Sequence, residues 1–389
     1  MDHFDVAIVG AGPAGSSSAI SLARKGYSVI LLDKSLFPRE KLCGDFLNPI
    51  NWPIFEYLSV ADELLSLEHD EITAFRITSF FGAEASIRFP VESNHSFGLG
   101  LRRSYLDHLL LRQAEKAGAA VRQGLRATAL SRESGGWSIN LGNHSTQQSV
   151  RSTFLIGADG RNSWVAHRLG LAQSSERRGN CVAFQIHLQG VKGLKGEVQI
   201  HLFPGGYGGL VGLGEGTTNL CLTLEREKVR KDSSLESIFD KFLYRNPYLT
   251  ESLTGSEVVG TVRSSYPVYF SPRRFYGDGF LLVGDAARVT EPVTGEGVYF
   301  ALRSGELAAE AIDRAFSKRD FSAQQFSNYQ RLYQRAFSFR QGVNRLIRAL
   351  IYRSSLLTPL IRLSSKISFP VGPLVNLVCG TGTAWRPRN

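Results

Sequence analysis

Residues 4–33 of this chain read FDVAIVGAGPAGSSSAISLARKGYSVILLD, and the interpretation of the whole sequence starts from them. An apolar run stops at Gly10, where a glycine-rich turn begins. The apolar spacing over residues 13–25 predicts a helix, and Gly26 stands where a left-handed C-terminal cap is expected. A second apolar run, residues 28–32, follows and ends before an acidic residue. The stretch therefore predicts a strand, a tight turn, a helix and another strand.

The glycines of this turn have the spacing of a dinucleotide-binding unit. Gly10, Gly12 and Gly15 form a Gly-x-Gly-x-x-Gly pattern. In such a unit the first glycine permits the turn, the second lets the backbone approach a pyrophosphate, and the third lets helix and strand pack closely. The free amides at the helix N-terminus attract phosphate. An acidic residue about 20 positions later accepts hydrogen bonds from a ribose, and Asp33 stands there. The sequence thus predicts an α/β, Rossmann-like domain.

The charge of the chain is unevenly placed. The 389 residues carry a formal net charge of +10, and residues 321–389 contain ten Lys and Arg residues but no Asp or Glu. A segment with one sign of charge suits anionic lipid, an acidic carrier protein or phosphate. Nucleic acid is disfavoured, because no nucleic-acid module is visible and these cations lie among Leu, Ile and Phe.

The cysteine pattern bears on compartment and on metal binding. Cys43, Cys181, Cys221 and Cys379 are widely spaced, without a Cys-x-x-Cys pair or a nearby histidine cluster. Neither a disulfide framework nor a metal site is predicted, and a reducing, cytoplasmic location is expected. The apolar string 7–23 is not interpreted as a signal peptide or membrane span, because it is rich in glycine and serine and follows two aspartates.

The remaining chain predicts two further units. Short runs of alternating apolar and polar residues, separated by glycines, indicate an antiparallel sheet domain. Residues 34–48 show no such regularity and are predicted to form a loop over the cofactor. From residue 321 the pattern is helical, with breaks expected at Pro359, Pro370 and Pro373. The predicted division is a cofactor domain of residues 1–70, 98–172 and 266–320, a substrate domain of residues 71–97 and 173–265, and a basic helical segment of residues 321–389.

Two later motifs give the chain a family resemblance. Residues 157–160 read GADG, and Gly-Asp at 284–285 is followed by a proline and two glycines. With the N-terminal motif, these resemble flavoproteins of the p-hydroxybenzoate hydroxylase fold. Residues 41–45 and 293–305 are most similar to the geranylgeranyl reductase family. The resemblance spans residues 5–312, and it implies bound FAD and an antiparallel-sheet substrate domain.

The resemblance also implies roles for individual residues. It assigns cofactor contacts to Gly10, Gly12, Ala14, Gly15, Asp33, Lys34, Arg103, Ala127, Asp159, Asp285, Gly295 and Gly297. Asp285 would bind the ribityl chain, and the helix near Gly297 would direct its positive end at the isoalloxazine, which favours the reduced anion. For Asp159, capping of its own turn is an equal alternative to a contact with FAD. Cys43 and Tyr207 are the candidates for a catalytic role beside the flavin.

Several functions stay open at this point. One is a geranylgeranyl reductase-like oxidoreductase that acts on carbon-carbon bonds of a hydrophobic, prenyl or carrier-bound small molecule, with NAD(P)H as a transient electron donor. The alternative is a monooxygenase that hydroxylates an aromatic or polyketide-like substrate through a flavin hydroperoxide. Residues 207–212 read YGGLVG, where the reductase family usually has Tyr-x-Trp-x-Phe-Pro. The smaller residues would leave room for the ring of a monooxygenase substrate. A flavin-binding structural or carrier-interaction protein with little turnover is a third hypothesis. The tryptophan-rich stretch of flavin halogenases is missing.

The basic segment allows two interpretations of its own. Apolar residues between positions 329 and 361 form a stripe among arginines. Such a helix lies on a membrane surface, peripherally, or packs on the protein body with its arginine stems covering the edges. A transmembrane span is not predicted, because arginines interrupt every window of about 20 residues.

Overall fold

The computed structural model describes residues 2–90, 95–143, 146–172, 181–229, 235–238, 243–244, 246–268, 273–289, 292–364 and 371–380. The strands are β1 (Asp2–Val9), β2 (Val29–Leu32), β3 (Phe46–Leu47), β4 (Asp70–Ile72), β5 (Ala74–Thr78), β6 (Glu84–Arg88), β7 (Gly98–Gly100), β8 (Ala120–Arg122), β9 (Arg126–Glu133), β10 (Gly136–Gly142), β11 (Gln147–Gly157), β12 (Cys181–Gln189), β13 (Glu197–Phe203), β14 (Gly206–Gly212), β15 (Thr217–Glu225), β16 (Glu257–Ser265), β17 (Tyr276–Gly277) and β18 (Phe280–Leu282). The helices are α1 (Pro13–Ala23), α2 (Trp52–Tyr57), α3 (Ala61–Ser66), α4 (Arg103–Lys116), α5 (Trp164–Arg168), α6 (Leu235–Ile238), α7 (Pro247–Leu253), α8 (Gly297–Lys318), α9 (Ala323–Ile351), α10 (Ser354–Ser364) and α11 (Val371–Cys379).

The first sheet carries the N-terminal motif. Its strand order is β17-β18-β11-β1-β2-β8, and β1 runs parallel to both β2 and β11. The antiparallel strands β10 and β9 extend from β11. The last four residues of β1 and all of β2 are buried, as expected for a parallel sheet that helices cover on both faces. The predicted strand, turn, helix and strand are confirmed.

Helix α1 is covered by a helix from much later in the chain. The Ser17 hydroxyl donates to the Leu302 carbonyl of α8 at 2.8 Å. A β-carbon at Gly305 would lie 2.3 Å from the Ala14 carbonyl oxygen, so a larger residue at 305 would push the two helices apart. The small residues of α1 therefore serve close helix packing, and α8 completes the layer on the N-terminal motif.

The second sheet has the order β16-β12-β15-β14-β13-β5-β6. All neighbours are antiparallel except β13 and β5, which pair in parallel. One face packs on a cluster that contains Leu220 and Leu222, and the opposite face looks toward the first domain. An antiparallel sheet unit is therefore present. A small sheet, β3-β7-β4, uses residues on both sides of the predicted boundary at 70 and 71; the exact domain division stays a prediction.

The C-terminal segment packs on the protein body over the first half of α9. Phe326, Tyr329 and Phe337 are fully buried in the main apolar cluster. Further along, Ile351 of α9 and Ile361 of α10 belong to a second buried apolar cluster, which also contains residues of the second sheet. This favours the packing interpretation for much of the stripe. In the part of the chain that the structure describes, no helix combines the length and apolar character needed to cross a membrane.

The predicted break at Pro359 is wrong. Pro359 lies inside α10, and the chain instead interrupts its helix at Tyr352 and Arg353. A proline in a helix interior costs about 3 kcal/mol, and burial of Ile361 with partial burial of Leu357 offsets part of it. Pro373 stands in the first turn of α11, where proline is tolerated. The break expected at Pro370 lies outside the described residues, as do Lys366, Arg386 and Arg388 of the basic segment.

A buried acid in α8 makes the stability of the protein depend on pH. Burial raises the pKa of Glu306 to about 7, against the opposing effect of Arg303. Because the folded state keeps a proton that the unfolded state loses, this contribution is present below the unfolded pKa and is lost as pH rises through 7. We expect the unfolding free energy to fall by up to about 3 kcal/mol between pH 4.5 and 7 from this group.

Denaturant unfolding of Glu306→Gln across that pH range checks this expectation. Glu306→Gln should lose the part of the pH dependence that this group contributes. Glu310→Gln removes only the smaller repulsion that Glu310 exerts on Glu306, at a position whose side chain is 36% exposed, and should keep most of it. If the unfolding free energy of Glu306→Gln changes with pH as in the parent protein, Glu306 is not the source of this pH dependence.

Candidate active site

Two cavities meet at the carboxyl ends of β1 and β11. The first lies between the start of α1, the start of α8 and the second sheet. The second lies over the ends of β1 and β2 and beside β9. Both are lined by Gly12, Lys41, Leu42, Ala158 and Arg161, so they form one elongated groove. This is the edge of an α/β sheet at which ligands are expected.

The glycine turn is shaped by close backbone contacts. Gly10 has φ +108°, and a β-carbon there would lie 2.4 Å from the Ala158 carbonyl oxygen. Gly12 is the N-cap of α1 and has no side-chain cap, which leaves the amides at the helix N-terminus available to an anion. A β-carbon at Gly15 would lie 1.8 Å from the Gly10 carbonyl oxygen. Gly15 is not among the residues that line either cavity, and packing is its role here.

The second cavity holds the residues predicted for the adenosine end. Asp33 accepts the Ala11 amide at 2.9 Å through Oδ2 and the Ser35 amide at 2.9 Å through Oδ1. The other predicted residues here are Lys34, Ala127 and Asp159. Asp159 accepts hydrogen bonds from its own turn and also borders the cavity, so the geometry allows both of its predicted roles.

The first cavity brings the other predicted residues together. These are Ala14, Cys43, Arg103, Tyr207, Asp285, Gly295 and Gly297. Asp285 follows β18, and its Oδ2 lies 3.9 Å from Nη2 of Arg161. Gly295 has φ +66°, and a β-carbon there would meet the Phe46 ring at 2.6 Å. Since α8 begins at Gly297, its N-terminal end borders this cavity.

A buried network that was not predicted from the sequence fixes the loop carrying Cys43. Asp45 is 1% exposed, with φ +52°. Its Oδ2 accepts a hydrogen bond from Gln185 Nε2 at 2.8 Å and lies 3.1 Å from His187 Nε2. Its Oδ1 accepts the Arg103 amide at 3.2 Å. A backbone with positive φ is strained for aspartate and persists only where surrounding contacts hold it. Here the contacts from β12 and α4 hold Asp45.

The same loop places Cys43 and Lys41 in the groove. Asn219 of β15 donates to the Cys43 carbonyl at 3.1 Å. Burial raises the pKa of the Cys43 thiol, with Arg103 opposing it, so the neutral thiol is favoured at neutral pH. Burial together with the charge of Arg103 lowers the pKa of Lys41. Arg103 itself is held by Asp107 through paired contacts of 2.8 and 3.0 Å.

The sheet above the first cavity has a notch at its centre. Tyr207, Gly209 and Val211 alternate along β14 on the face that borders the cavity. Gly209 pairs with Ile200 on β13 and with Cys221 on β15. A β-carbon at Gly209 would meet nothing closer than 3.9 Å. The space above Gly209 is therefore open to a ligand.

A sequence signal for the buried network existed but was weak. Gln185 and His187 occupy alternate positions of β12, and Asn219 occupies the matching face of β15. Polar side chains on one face of otherwise apolar strands indicate that this face meets something polar. The pattern does not say that Asp45 is the partner, because the loop lies 140 residues away from Gln185.

The groove fits a dinucleotide cofactor. The uncapped start of α1, the acid fixed at the end of β2 and the first cavity beside α8 supply sites for a pyrophosphate, a ribose and a ring system, respectively. Among known protein families, the FAD binding domain matches residues 3–309.

Two of the relatives that match most of the chain have names that describe a reductase. A digeranylgeranylglycerophospholipid reductase of Methanosarcina acetivorans is 31% identical, over 82% of this chain and 78% of that protein. A menaquinone reductase of Mycobacterium tuberculosis is 29% identical, over 80% of this chain and 77% of that protein.

Solved structures show the same fold. A geranylgeranyl bacteriochlorophyll reductase-like protein from Thermoplasma acidophilum superposes with a TM-score of 0.82 at 23% identity, covering 98% of this chain and 98% of that one. The flavin-dependent brominase Bmp2 superposes with a TM-score of 0.83 at 22% identity, covering 98% of this chain and 94% of that one.

Proposed function

The chain belongs to the FAD-binding domain family and is an FAD-dependent oxidoreductase, and from that premise we propose that it acts on carbon-carbon double bonds of a hydrophobic small molecule. The observation that carries the proposal is the apolar wall of the first cavity. Beside the start of α8, this wall contains Phe75, Val198, Ile200, Val211, Val268, Val289 and Val293. A wall of this kind removes an apolar chain from water and offers few groups that a polar substrate would need.

The names of the relatives narrow the substrate class. One is named for a digeranylgeranylglycerophospholipid and the other for menaquinone. We infer a substrate with a prenyl chain, or a hydrophobic group on a carrier, for this protein as well.

The chain would hold FAD along the groove described above. Gly10, Gly12 and Ala14 would border the pyrophosphate. Asp33, Lys34, Ala127 and Asp159 would border the adenosine, and Arg103, Asp285, Gly295 and Gly297 the ribityl chain and ring. FAD supplies hydride transfer once bound.

The side chains of the first cavity would bind the substrate and take part in proton transfer to it. Cys43 keeps its proton because burial raises the pKa of its thiol, and Tyr207 lines the same cavity. These are the two groups that we assign to proton transfer at the substrate. The apolar wall orients the chain of the substrate and excludes water from it.

The electron donor is part of the proposal. The chain carries a single dinucleotide fingerprint, at residues 10–15. NADH or NADPH would therefore bind transiently and leave before the substrate enters. Mixing the holoprotein anaerobically with each nucleotide, and following the loss of the oxidised flavin band, tests this step; no reduction by either would exclude both donors.

The decisive experiment separates a reductase from a monooxygenase. Chemically reduced holoprotein is mixed without oxygen with geranylgeraniol, or with menaquinone bearing a short prenyl chain, and the flavin spectrum and product mass are followed. Flavin reoxidation with two hydrogens added to the prenyl chain supports the proposal; the menaquinone product is reoxidised before mass analysis, so that reduction of its quinone ring is not counted. Reaction that occurs only with oxygen, and that incorporates oxygen into the product, would instead establish the monooxygenase.

The notch at Gly209 is what favours that second candidate, because it admits a ring. We expect Gly209→Leu to weaken binding of menadione, a naphthoquinone ring, by about tenfold, since overpacking costs about 1–3 kcal/mol. Binding of the linear geranylgeraniol should change little. Titration of each ligand against the holoprotein flavin spectrum measures both affinities.

Gly208→Ala is the matched control. A β-carbon at Gly208 would approach Leu222 on the opposite face of the sheet, so its ligand affinities should stay those of the parent. Equal loss for both ligands in Gly209→Leu would show that the notch does not select ring-bearing substrates.

We further propose that the basic segment binds an anionic membrane surface peripherally. Large apolar side chains are exposed on it at Phe339 and Leu346, seven residues apart on α9, and at Leu363 on α10. Arg345 and Arg353 are exposed near them. Exposed apolar groups with flanking cations are what an interfacial helix presents to anionic lipid.

Co-sedimentation with phosphatidylglycerol vesicles tests the membrane proposal. Binding should fall with salt, should be weak on phosphatidylcholine, and should drop in the double variant Phe339→Ser with Leu346→Ser. Binding to an acyl carrier protein in place of vesicles would assign the segment to an acidic carrier. Absence of salt-sensitive vesicle binding would exclude the membrane role.

A further inference from the structure

The C-terminal helices reach the segment that precedes α8, although they lie outside residues 3–309 that match the family. Arg340 of α9 donates to Glu296 Oε1 at 2.8 Å. Four residues later on α9, Asn344 donates to the Thr294 hydroxyl at 2.9 Å. Two residues of α9 therefore fix the two side chains on either side of Gly295.

Helix α11 closes the same cluster. Arg340 also donates to the carbonyls of Leu377 and Val378, at 3.0 and 3.3 Å. Asn48 donates to the Thr294 carbonyl at 3.2 Å and lies 3.6 Å from the Cys379 sulfur. The guanidinium thus joins the end of α11 to the start of α8.

The cluster is buried, so its charges matter. Glu296 is 1% exposed and Arg340 is 5% exposed. Burial raises the pKa of the Glu296 carboxyl, and Arg340 opposes this rise. A buried carboxylate without its cation is costly, so Arg340 is the group that offsets part of the cost of a charge on Glu296.

The position of Glu296 connects this pair to the cofactor. Glu296 is the N-cap of α8, and its neighbours Gly295 and Gly297 line the first cavity. Charge at a helix N-terminus alters the potential that the helix presents to a bound anion. With Arg340 paired to Glu296, the two charges compensate each other, and the helix end itself faces the cavity.

We propose that Arg340 is a positioning residue of the cofactor site, which acts through Glu296 to hold residues 294–297 and to balance the charge at the start of α8. The C-terminal helices are then a working part of the flavin site. The inference rests on the proposed function only in that FAD occupies the first cavity.

The test uses a charge-neutral double variant. FAD affinity and the potential of bound FAD are measured for the parent protein, Arg340→Gln, Glu296→Gln and the double variant. Each single variant should raise the FAD dissociation constant by about tenfold or more, because it leaves one buried charge unpaired. The double variant should recover most of the affinity, since two amides can hydrogen-bond without a net charge.

The reduction potential of bound FAD is a second measurement, and a simple loss of packing would not change it. Glu296→Gln leaves the guanidinium uncompensated and should favour reduced flavin by about tenfold, or about 30 mV for a two-electron couple. The double variant should return to the parent value. Arg345→Gln, on the exposed side of the same helix, is the control and should change neither quantity.

The outcomes separate this inference from the proposed function. If the parent protein binds no FAD, the function itself fails. If the parent binds FAD and both single variants bind it within twofold of the parent, the inference is overturned while the function stands. A double variant no better than the singles also overturns it. Should Arg340→Gln not fold, Glu296→Gln and the double variant decide through the potential alone.

Discussion

Gly15→Ala is expected to abolish FAD binding. The added β-carbon would lie 1.8 Å from the Gly10 carbonyl oxygen, well inside contact distance of a backbone atom that cannot rotate away. Either the turn or α1 must move, and both carry the amides that face the groove. We expect an affinity loss of at least about a hundredfold, or about 2.7 kcal/mol. The flavin-to-protein ratio after purification, followed by titration of the apoprotein with FAD, measures this loss.

Gly342→Ala is the control for Gly15→Ala. Gly342 lies inside α9, and nothing stands within 4 Å of a β-carbon built there. Because alanine is the better helix former, this variant should gain about 1 kcal/mol of stability and keep its flavin. A Gly15→Ala protein with a full complement of tightly bound FAD would show that the turn can relax without cost to the site.

Asp45→Ala is expected to be the most destabilising change in the second sheet's contact with the cofactor domain. It removes the acceptor of Gln185, the partner of His187 and the acceptor of the Arg103 amide. Buried donors left without acceptors cost about 1–3 kcal/mol each, and alanine at φ +52° adds strain. We expect the free energy of unfolding to fall by about 3–5 kcal/mol. Denaturant unfolding of the apoprotein measures this change.

Asp45→Asn should lose far less. Asparagine keeps an oxygen for the Arg103 amide, and it adopts the left-handed conformation more readily than alanine does. The difference between the two variants therefore combines the hydrogen bonds that asparagine keeps with its lower backbone strain. Equal stability of Asp45→Ala and the parent protein would mean that the network does not fix the loop. A loss of flavin in Asp45→Ala that exceeds the loss of stability would tie the loop to the cofactor as well.

Much of the fold could be predicted because its signals are local. The turn at Gly10, the helix after it and Asp33 lie within one stretch of sequence, and their geometry depends on near neighbours. Strand β16 carries no such signal, because it is an edge strand with mostly exposed residues and has no clear alternation of apolar and polar positions. The helix through Pro359 was missed because burial of Ile361 outweighs a local preference.

The site was predictable only in part, for a related reason. The residues expected at the cofactor come from motifs with fixed spacing, and the structure groups nearly all of them along one groove. The contacts that hold the groove in shape join distant segments, as in Asp45 with Gln185 and Glu296 with Arg340. A single sequence contains both members of such a pair but does not indicate that they meet.

The cover that α8 provides for α1 has a consequence for the order in which the protein matures. The N-terminal motif is synthesised well before α8, which is completed only at Lys318. Until then the small-residue face around Ala14 and Ser17 has no partner, and the start of α8 is missing from the groove. The groove is therefore incomplete until α8 has been synthesised, so FAD capture follows the synthesis of α8 rather than that of the N-terminal motif.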